Sequence, residues 1–177
     1  MKKIILYSAQ SLNGKIARSD GSVDWLETIP HVEGEDYGYA TFYESIGITI
    51  QGYSTYQQII DWGIEFPYKD KQNFVLTRNN QRQPSTFVNF ITNDHLDAVK
   101  RLKEKANKDI WLIGGGQINT MMLKAGLLDE MIIHTMPIII PGGIGLFAGE
   151  PVEKQMQVMS TKKYGSGVIE THYAVKN

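Results

Sequence analysis

The residues whose types and spacing most clearly suit chemistry lie in Asp109–Ala125, DIWLIGGGQINTMMLKA. Ile110–Ile113 is a short apolar run with β-branched and aromatic side chains and reads as a buried strand. Gly114, Gly115 and Gly116 end it, and Gln117–Ala125 follows with Ile118, Met121, Met122 and Ala125 on one helical face. A strand, a glycine turn and a helix together aim free backbone N–H groups at an anion. The missing β-carbons let a phosphate approach the backbone. The pattern points to a phosphate cradle for a nucleotide cofactor, with a ligand-free βα turn as the alternative. It does not complete the dinucleotide fingerprint: the third glycine position falls on Asn119, and Asp129 and Glu130 stand at the start of the next strand instead of its end. A P-loop is excluded because no Gly-Lys-Ser/Thr follows.

A second junction of the same kind occurs earlier. Ile46–Gln51 reads as a strand, Gly52 ends it, and Ser54 is placed to cap a helix over Thr55–Trp62. Two such junctions suit a ligand with separated phosphates. Between the first strand and this junction lies Asp36, in the first turn of a helix expected over Gly34–Ile46, where Tyr39, Phe42, Tyr43 and Ile46 fall at i, i+3, i+4 and i+7. Two roles are open to it. It can stabilise the helix N-terminus, or it can stand at the edge of an apolar pocket with its pKa raised and donate protons.

The elements that must position these groups alternate. Lys2–Gln10 reads as a strand buried on both faces, followed by the polar loop Ser11–Asp24 with turn dipeptides Asn13-Gly14 and Asp20-Gly21. Such a loop beside a buried strand suggests a mobile functional segment, a plain hairpin through Ile16 and Ala17 being the alternative. Strands are expected at Asn73–Thr77, Thr86–Ile91 and Glu130–Met136, and an amphipathic helix at Asp94–Asn107. Gln155–Lys163 and Val168–Val175 close the chain as a hairpin. Alternation implies a mostly parallel sheet of about eight strands with helices on both faces, the C-terminal hairpin adding antiparallel strands at its edge.

Composition narrows the function. The chain has 177 residues and a net charge of −1, so it reads as one domain over 1–177 with no electrostatic case for nucleic acid. Basic residues in Lys100–Lys108 read as a solvated helix face. There is no cysteine and the four histidines lack ligand spacing, so thiolate sites, disulfides and metal centres are not expected. No apolar run suits a membrane span, and Ile4–Tyr7 is too short for a signal peptide; a cytoplasmic protein is expected. The apolar stretch Pro137–Phe147 could be core or the surface of a homodimer.

The stretches SLNGKIARSDGSVDWL, EDYGYATFYESI with QGYSTY, VLTR, IGGGQI and AGLLDEMIIHTMPIIIPGGIGLF together resemble the dihydrofolate reductase-like superfamily. The similarity is closest to the branch containing the reductase domain of the bifunctional riboflavin-biosynthesis deaminase–reductase. The resemblance spans nearly the whole chain. It implies the three-layer α/β sandwich of that superfamily, and an NADPH-dependent oxidoreductase acting on a small heterocycle, either a pterin or the pyrimidine ribosylamine of riboflavin synthesis. Asp36, sixteen residues before Gly52, looks like the family's catalytic acid. Ser11–Trp25 looks like the loop that closes over the nicotinamide, with Ala9, Ile16 and Ala17 near the ring. Gly52, Tyr53, Ser54 and Thr55 match one phosphate-binding turn, and Gly114, Gly115, Gly116, Gln117 and Ile118 the other. Thr77 and Arg78 match the strand end that reaches the 2′-phosphate. The chain departs from the pattern at Tyr53, which replaces an arginine, at Lys71, which stands about where an arginine grips the folate carboxylate, at Asn119, which replaces an aromatic residue, and at His134, which replaces a threonine. A modest preference for NADPH over NADH follows, or a nucleotide-binding protein that kept the fold without turnover.

Overall fold

A computed structural model describes residues 2–176. Its centre is one eight-stranded sheet. The strands in chain order are β1 (Ile4–Ser11), β3 (Ile46–Gly52), β4 (Gln72–Leu76), β5 (Val88–Ile91), β6 (Asp109–Gly114), β7 (Glu130–Met136), β9 (Met156–Lys163) and β10 (Ile169–Val175). Two short strands, β2 (Lys15–Ala17) and β8 (Ile144–Gly145), pair with each other outside it. The spatial order is β5-β4-β3-β6-β1-β7-β10-β9. The first six are parallel, and β10 and β9 extend the sheet antiparallel as a hairpin. This is the three-layer sandwich expected, with eight strands in the main sheet.

Helices α1 (Tyr39–Ser45), α2 (Tyr53–Asp61), α3 (His95–Lys105) and α4 (Gly116–Lys124) cover the two faces. Phe42 of α1 and Ile59 of α2 pack with Ile5, Val75 and Trp111 on one face. Val99 of α3 and Met122 and Leu123 of α4 pack with Leu6, Ile50 and Leu112 on the other. A third cluster around Trp25, Met136, Ile140 and Val168 anchors the loop after β1. Burying a side chain of this size contributes about 1.5–3 kcal/mol, so these clusters hold the strand ends in fixed relation.

Several boundaries move. The Gly34–Gly38 segment is turns instead of helix, and α1 is confined to Tyr39–Ser45, with the left-handed Gly38 as its N-cap. Tyr39, expected inward, stands at the rim of the aromatic cluster with 38% of its surface exposed. Lys103, placed on a solvated face, bonds Asp129 at 2.6 Å and is nearly buried. The apolar stretch Pro137–Phe147 contains β8. No helix among the described residues is long and apolar enough to cross a membrane.

Candidate functional site

The carboxyl ends of the parallel strands carry the site. Strands β3 and β6 are neighbours, with Gln51 opposite Gly114, and Gly52 lies opposite Leu76 of β4. From these adjacent strands the chain leaves to opposite faces, into α2 from Gly52 and into α4 from Gly115. In an open α/β sheet, ligands bind in the crevice that such a divergence leaves. The two glycine turns meet there. A β-carbon on Gly52 would lie 2.9 Å from Ile118 Cγ1, and one on Gly115 would lie 3.3 Å from Thr55 Oγ1. Both helices have glycine N-caps, Gly52 and Gly115, with no side-chain capping bond. Their first-turn N–H groups are therefore left to an external acceptor. Ser54, expected to cap α2, is instead an exposed residue of its first turn.

The loop after β1 is tied to the same turns. β2 pairs with β8, Leu146 N–H donates to Gly14 O at 3.1 Å, and Ala148 N–H donates to Gly116 O at 3.1 Å. Gly116 packs so closely on this segment that a β-carbon would stand 2.4 Å from Gly145 O. The structure thus brings half-buried Ile16 and buried Ala17 to the edge that holds Gly114–Gly116. Ala9 is half-buried near the end of β1, beside His134. Asn119 donates through Nδ2 to Leu146 O at 2.8 Å, while its Oδ1 is buried without a partner beside Gly114.

Thr77 is buried at the end of β4, its carbonyl 3.0 Å from His95 Nε2, and Arg78 is exposed next to it. Gln117 is exposed and Ile118 half-buried in the first turn of α4. The Tyr53 hydroxyl donates to Gln57 at 2.8 Å, and the Arg82 guanidinium lies 4.3 Å from the Tyr53 ring centre. Arg82 comes from the polar loop before β5. It brings a cation to the first turn of α2. No local pattern marks it, because a loop arginine acquires a partner only through the fold. Lys71 is held 3.0 Å from Asp70 and 4.1 Å above the Tyr43 ring.

Asp36 requires correction. It is exposed, not set in an apolar pocket. Its carboxylate accepts from Gly38 N–H at 2.9 Å and Ala40 N–H at 3.0 Å. Those bonds, from Ala40 first, hold its pKa below the usual aspartate value, as the helix-start role implies and the pocket role, with its raised pKa, does not. The carboxylate stabilises the start of α1.

Beside it lies a polar cluster of which sequence reading singled out only His134. His134 of β7 is buried, with Nε2 3.0 Å from Tyr37 O and 3.1 Å from Glu170 Oε2. Both neighbours are acceptors, so Nε2 carries the hydrogen. The Tyr164 hydroxyl donates to Glu170 Oε2 at 2.7 Å, and the Tyr7 hydroxyl to Tyr37 O at 3.0 Å. Burial pushes the His134 pKa below its ordinary value, against the opposing pull of Glu170. Burial likewise raises Tyr7 and Tyr164, the latter helped by its bond to Glu170. The available signal was weak: one histidine in a strand and one glutamate in the last strand, 36 residues apart.

Comparison with known proteins agrees with this architecture. Residues 67–169 match the RibD C-terminal domain family. The chain is 36% identical to the uncharacterized protein YwjB of Bacillus subtilis (strain 168) over 173 residues, covering 97% of each. A Shewanella sp. PV-4 protein provisionally named for riboflavin biosynthesis superposes with a TM-score of 0.88 at 27% identity, covering 99% of both chains. Dihydrofolate reductase from Enterococcus faecalis, complexed with NADP(H), shares the fold at a TM-score of 0.65 and 15% identity, over 99% of this chain and 97% of that one. With its dihydrofolate reductase-like sheet and its paired glycine turns, the chain belongs to the RibD C-terminal domain family.

Proposed function

We propose that the protein is an NADPH-dependent reductase of a small heterocycle, of the riboflavin-pathway or dihydrofolate reductase type. The observation that carries this reading is the meeting of the two uncapped glycine turns, with Thr55 Oγ1 3.3 Å from the β-carbon position of Gly115. The residues present fit a dinucleotide. Backbone N–H groups of Gly116, Gln117 and Ile118 and of the first turn of α2, with the Thr55 hydroxyl, would hold the pyrophosphate. Arg78 and Arg82, neither of which forms a salt bridge among the described residues, would face the 2′-phosphate. The buried, unpartnered Asn119 Oδ1 offers an acceptor beside Gly114. Ala9, Ile16 and Ala17 would border the nicotinamide. The cofactor supplies hydride; the chain orients it and keeps water from it through the loop tied down by β8. A cysteine-free chain suits a reducing cytoplasm, and the small-molecule site requires no macromolecular partner.

A second reading has one observation in its favour. Both oxygens of Asp36 are occupied by backbone N–H groups, as in a nucleotide-binding protein without turnover. Titration with NADPH and NADH, followed by nicotinamide fluorescence, tests binding. Loss of reduced-nicotinamide absorbance with dihydrofolate or with the phosphorylated pyrimidine ribosylamine then separates enzyme from binder. NADPH at about 100 times its Kd is expected to stabilise the fold by about 2.7 kcal/mol; an unchanged melting curve and silent fluorescence would sink both readings.

A further inference from the structure

We infer that Glu170, held by Tyr164 and His134, is the carboxylate that receives the N–H edge of the heterocyclic substrate, and that Asp36 serves α1 alone. The inference rests on the reductase reading, since it names a group of that same site.

Elimination carries the first part. Three carboxylates approach the start of α1: Glu35, Asp36 and Glu170. Glu35 is taken by Gly165 N–H at 2.5 Å and Ser166 N–H at 3.3 Å. Asp36 is taken by Gly38 and Ala40. Glu170 uses only Oε2, for Tyr164 and His134. Its Oε1 has no hydrogen-bond partner among the described residues, and its side chain remains 19% exposed. An ionised carboxylate accepts at both oxygens, so one acceptor is presented to whatever enters.

Position carries the second part. Glu170 lies opposite His134, and His134 lies beside Ala9 of β1. From the pairing of Leu6 with Leu112, Ser8 stands level with Gly114. His134 is therefore one step beyond the glycine turn and two strands across, roughly 10 Å away. The β-carbon position of Gly38 is 3.8 Å from both Glu170 Oε2 and the Tyr164 hydroxyl. Gly38 therefore adds no side chain against the Tyr164–Glu170 pair. The surroundings are aromatic: the Tyr37 and Tyr164 ring centres are 5.0 Å apart, and Tyr7 lies 4.8 Å from His134. Flat aromatic walls with a carboxylate acceptor suit a planar heterocycle bearing N–H donors. Tyr37 holds the arrangement with a left-handed backbone, φ 55°, unusual for a non-glycine residue. Its carbonyl accepts from Tyr7 and aligns with His134 Nε2.

The test uses 2,4-diaminopyrimidine, a planar cyclic amidine, titrated calorimetrically into the whole protein at one neutral pH. The charged and titratable groups facing Glu170 are His134 on β7, Tyr7 on β1, Glu35 and Asp36 before α1, Tyr164, and Lys162 of β9, whose ammonium lies 4.3 Å above the Tyr164 ring. The parent is expected to bind the probe. Glu170→Gln should weaken it at least tenfold, about 1.4 kcal/mol, and Asp36→Asn by less than about threefold, with NADPH affinity unchanged in both. Tyr164→Phe removes one of the two donors that hold Glu170. It should weaken the probe by about threefold or more at constant pH with NADPH affinity unchanged, whereas a merely structural tyrosine would move both affinities together. Thermal unfolding reports whether Glu170→Gln is folded; if it is not, Tyr164→Phe decides, and undiminished probe binding in it overturns the assignment. A parent that ignores the probe, or loss of binding in Asp36→Asn with retention in Glu170→Gln, also overturns it. Failure of the parent to bind NADPH strikes the reductase reading instead, whereas retained NADPH affinity with no probe binding strikes only Glu170.

Discussion

The carboxyl edge of the sheet has two halves built in opposite ways. The half at β3 and β6 is made of backbone: glycine turns, uncapped helix ends and close approaches between main-chain atoms. The half at β1, β7 and β10 is made of side chains, Tyr7, His134, Tyr164 and Glu170, each fixed by another. The first suits an extended anion, because N–H groups at a helix start are aligned without any side chain. The second suits discrimination between small flat molecules, because its acceptors and rings are individually placed and individually replaceable. A reductase requires both, one to hold the hydride donor and one to choose what receives it.

The largest expected effect separates fold from binding within the backbone half. Gly116→Val puts a β-carbon 2.4 Å from Gly145 O, and main chain cannot yield as a side-chain tip can. Such overpacking typically costs about 1–3 kcal/mol, occasionally more, and this variant should show a sharply lowered unfolding midpoint in urea. Gly115→Val meets only Thr55 Oγ1 at 3.3 Å, so the variant should fold. It should bind NADPH at least tenfold more weakly, about 1.4 kcal/mol, by fluorescence titration. If the two variants are equally stable, the close approach at Gly116 is not what holds the β8 segment.

Next comes the choice of cofactor. Arg78→Ala should weaken NADPH by about tenfold and leave NADH nearly unchanged, and Arg82→Ala should do the same to a smaller degree, as isothermal titration would show. Equal losses for the two nucleotides would mean that neither arginine reads the 2′-phosphate.

A smaller effect tests the side-chain half through pH. The His134 pKa is lowered in the fold, chiefly by burial. Unfolded chains therefore take up protons that the folded protein refuses. Stability conferred by neutral His134 is complete above about pH 6.5 and declines as pH falls from there toward the folded pKa. His134→Asn should flatten that decline in urea midpoints measured across the interval. An unchanged slope would show that another group causes it.

The smallest effect concerns Asp36. With its carboxylate exposed and bonded to backbone, Asp36→Asn should change turnover by less than about threefold, where a general acid would cost about 10²–10⁴-fold. Its lowered pKa means that the stabilisation it provides is present above the ordinary aspartate range and lost as pH falls below it. Asp36→Ala should therefore be slightly less stable than the parent at neutral pH, with the gap closing in acid. A loss of hydride transfer on the scale of general acid catalysis, measured in single turnover, would restore Asp36 to the chemistry.

The amino-acid sequence by itself determined the alternation of strands and helices, the parallel sheet with its C-terminal hairpin, and both glycine turns. These are legible because periodicity and glycine placement act over neighbouring residues: Gly114–Gly116 follows its own strand and precedes its own helix. Asp36 was located near a helix start, but the choice between its two roles was not legible, because exposure depends on whether Gly34–Gly38 turns or coils, and two left-handed residues, Tyr37 and Gly38, decide that it turns. Only the tertiary structure placed Arg82 over Tyr53 and set Glu170 against His134 and Tyr164. Those partners come from separate strands and loops, and their meeting follows from sheet order and register. Burial, which moves the His134 pKa and leaves Asn119 Oδ1 without a partner, is a property of the assembled layers and not of any segment.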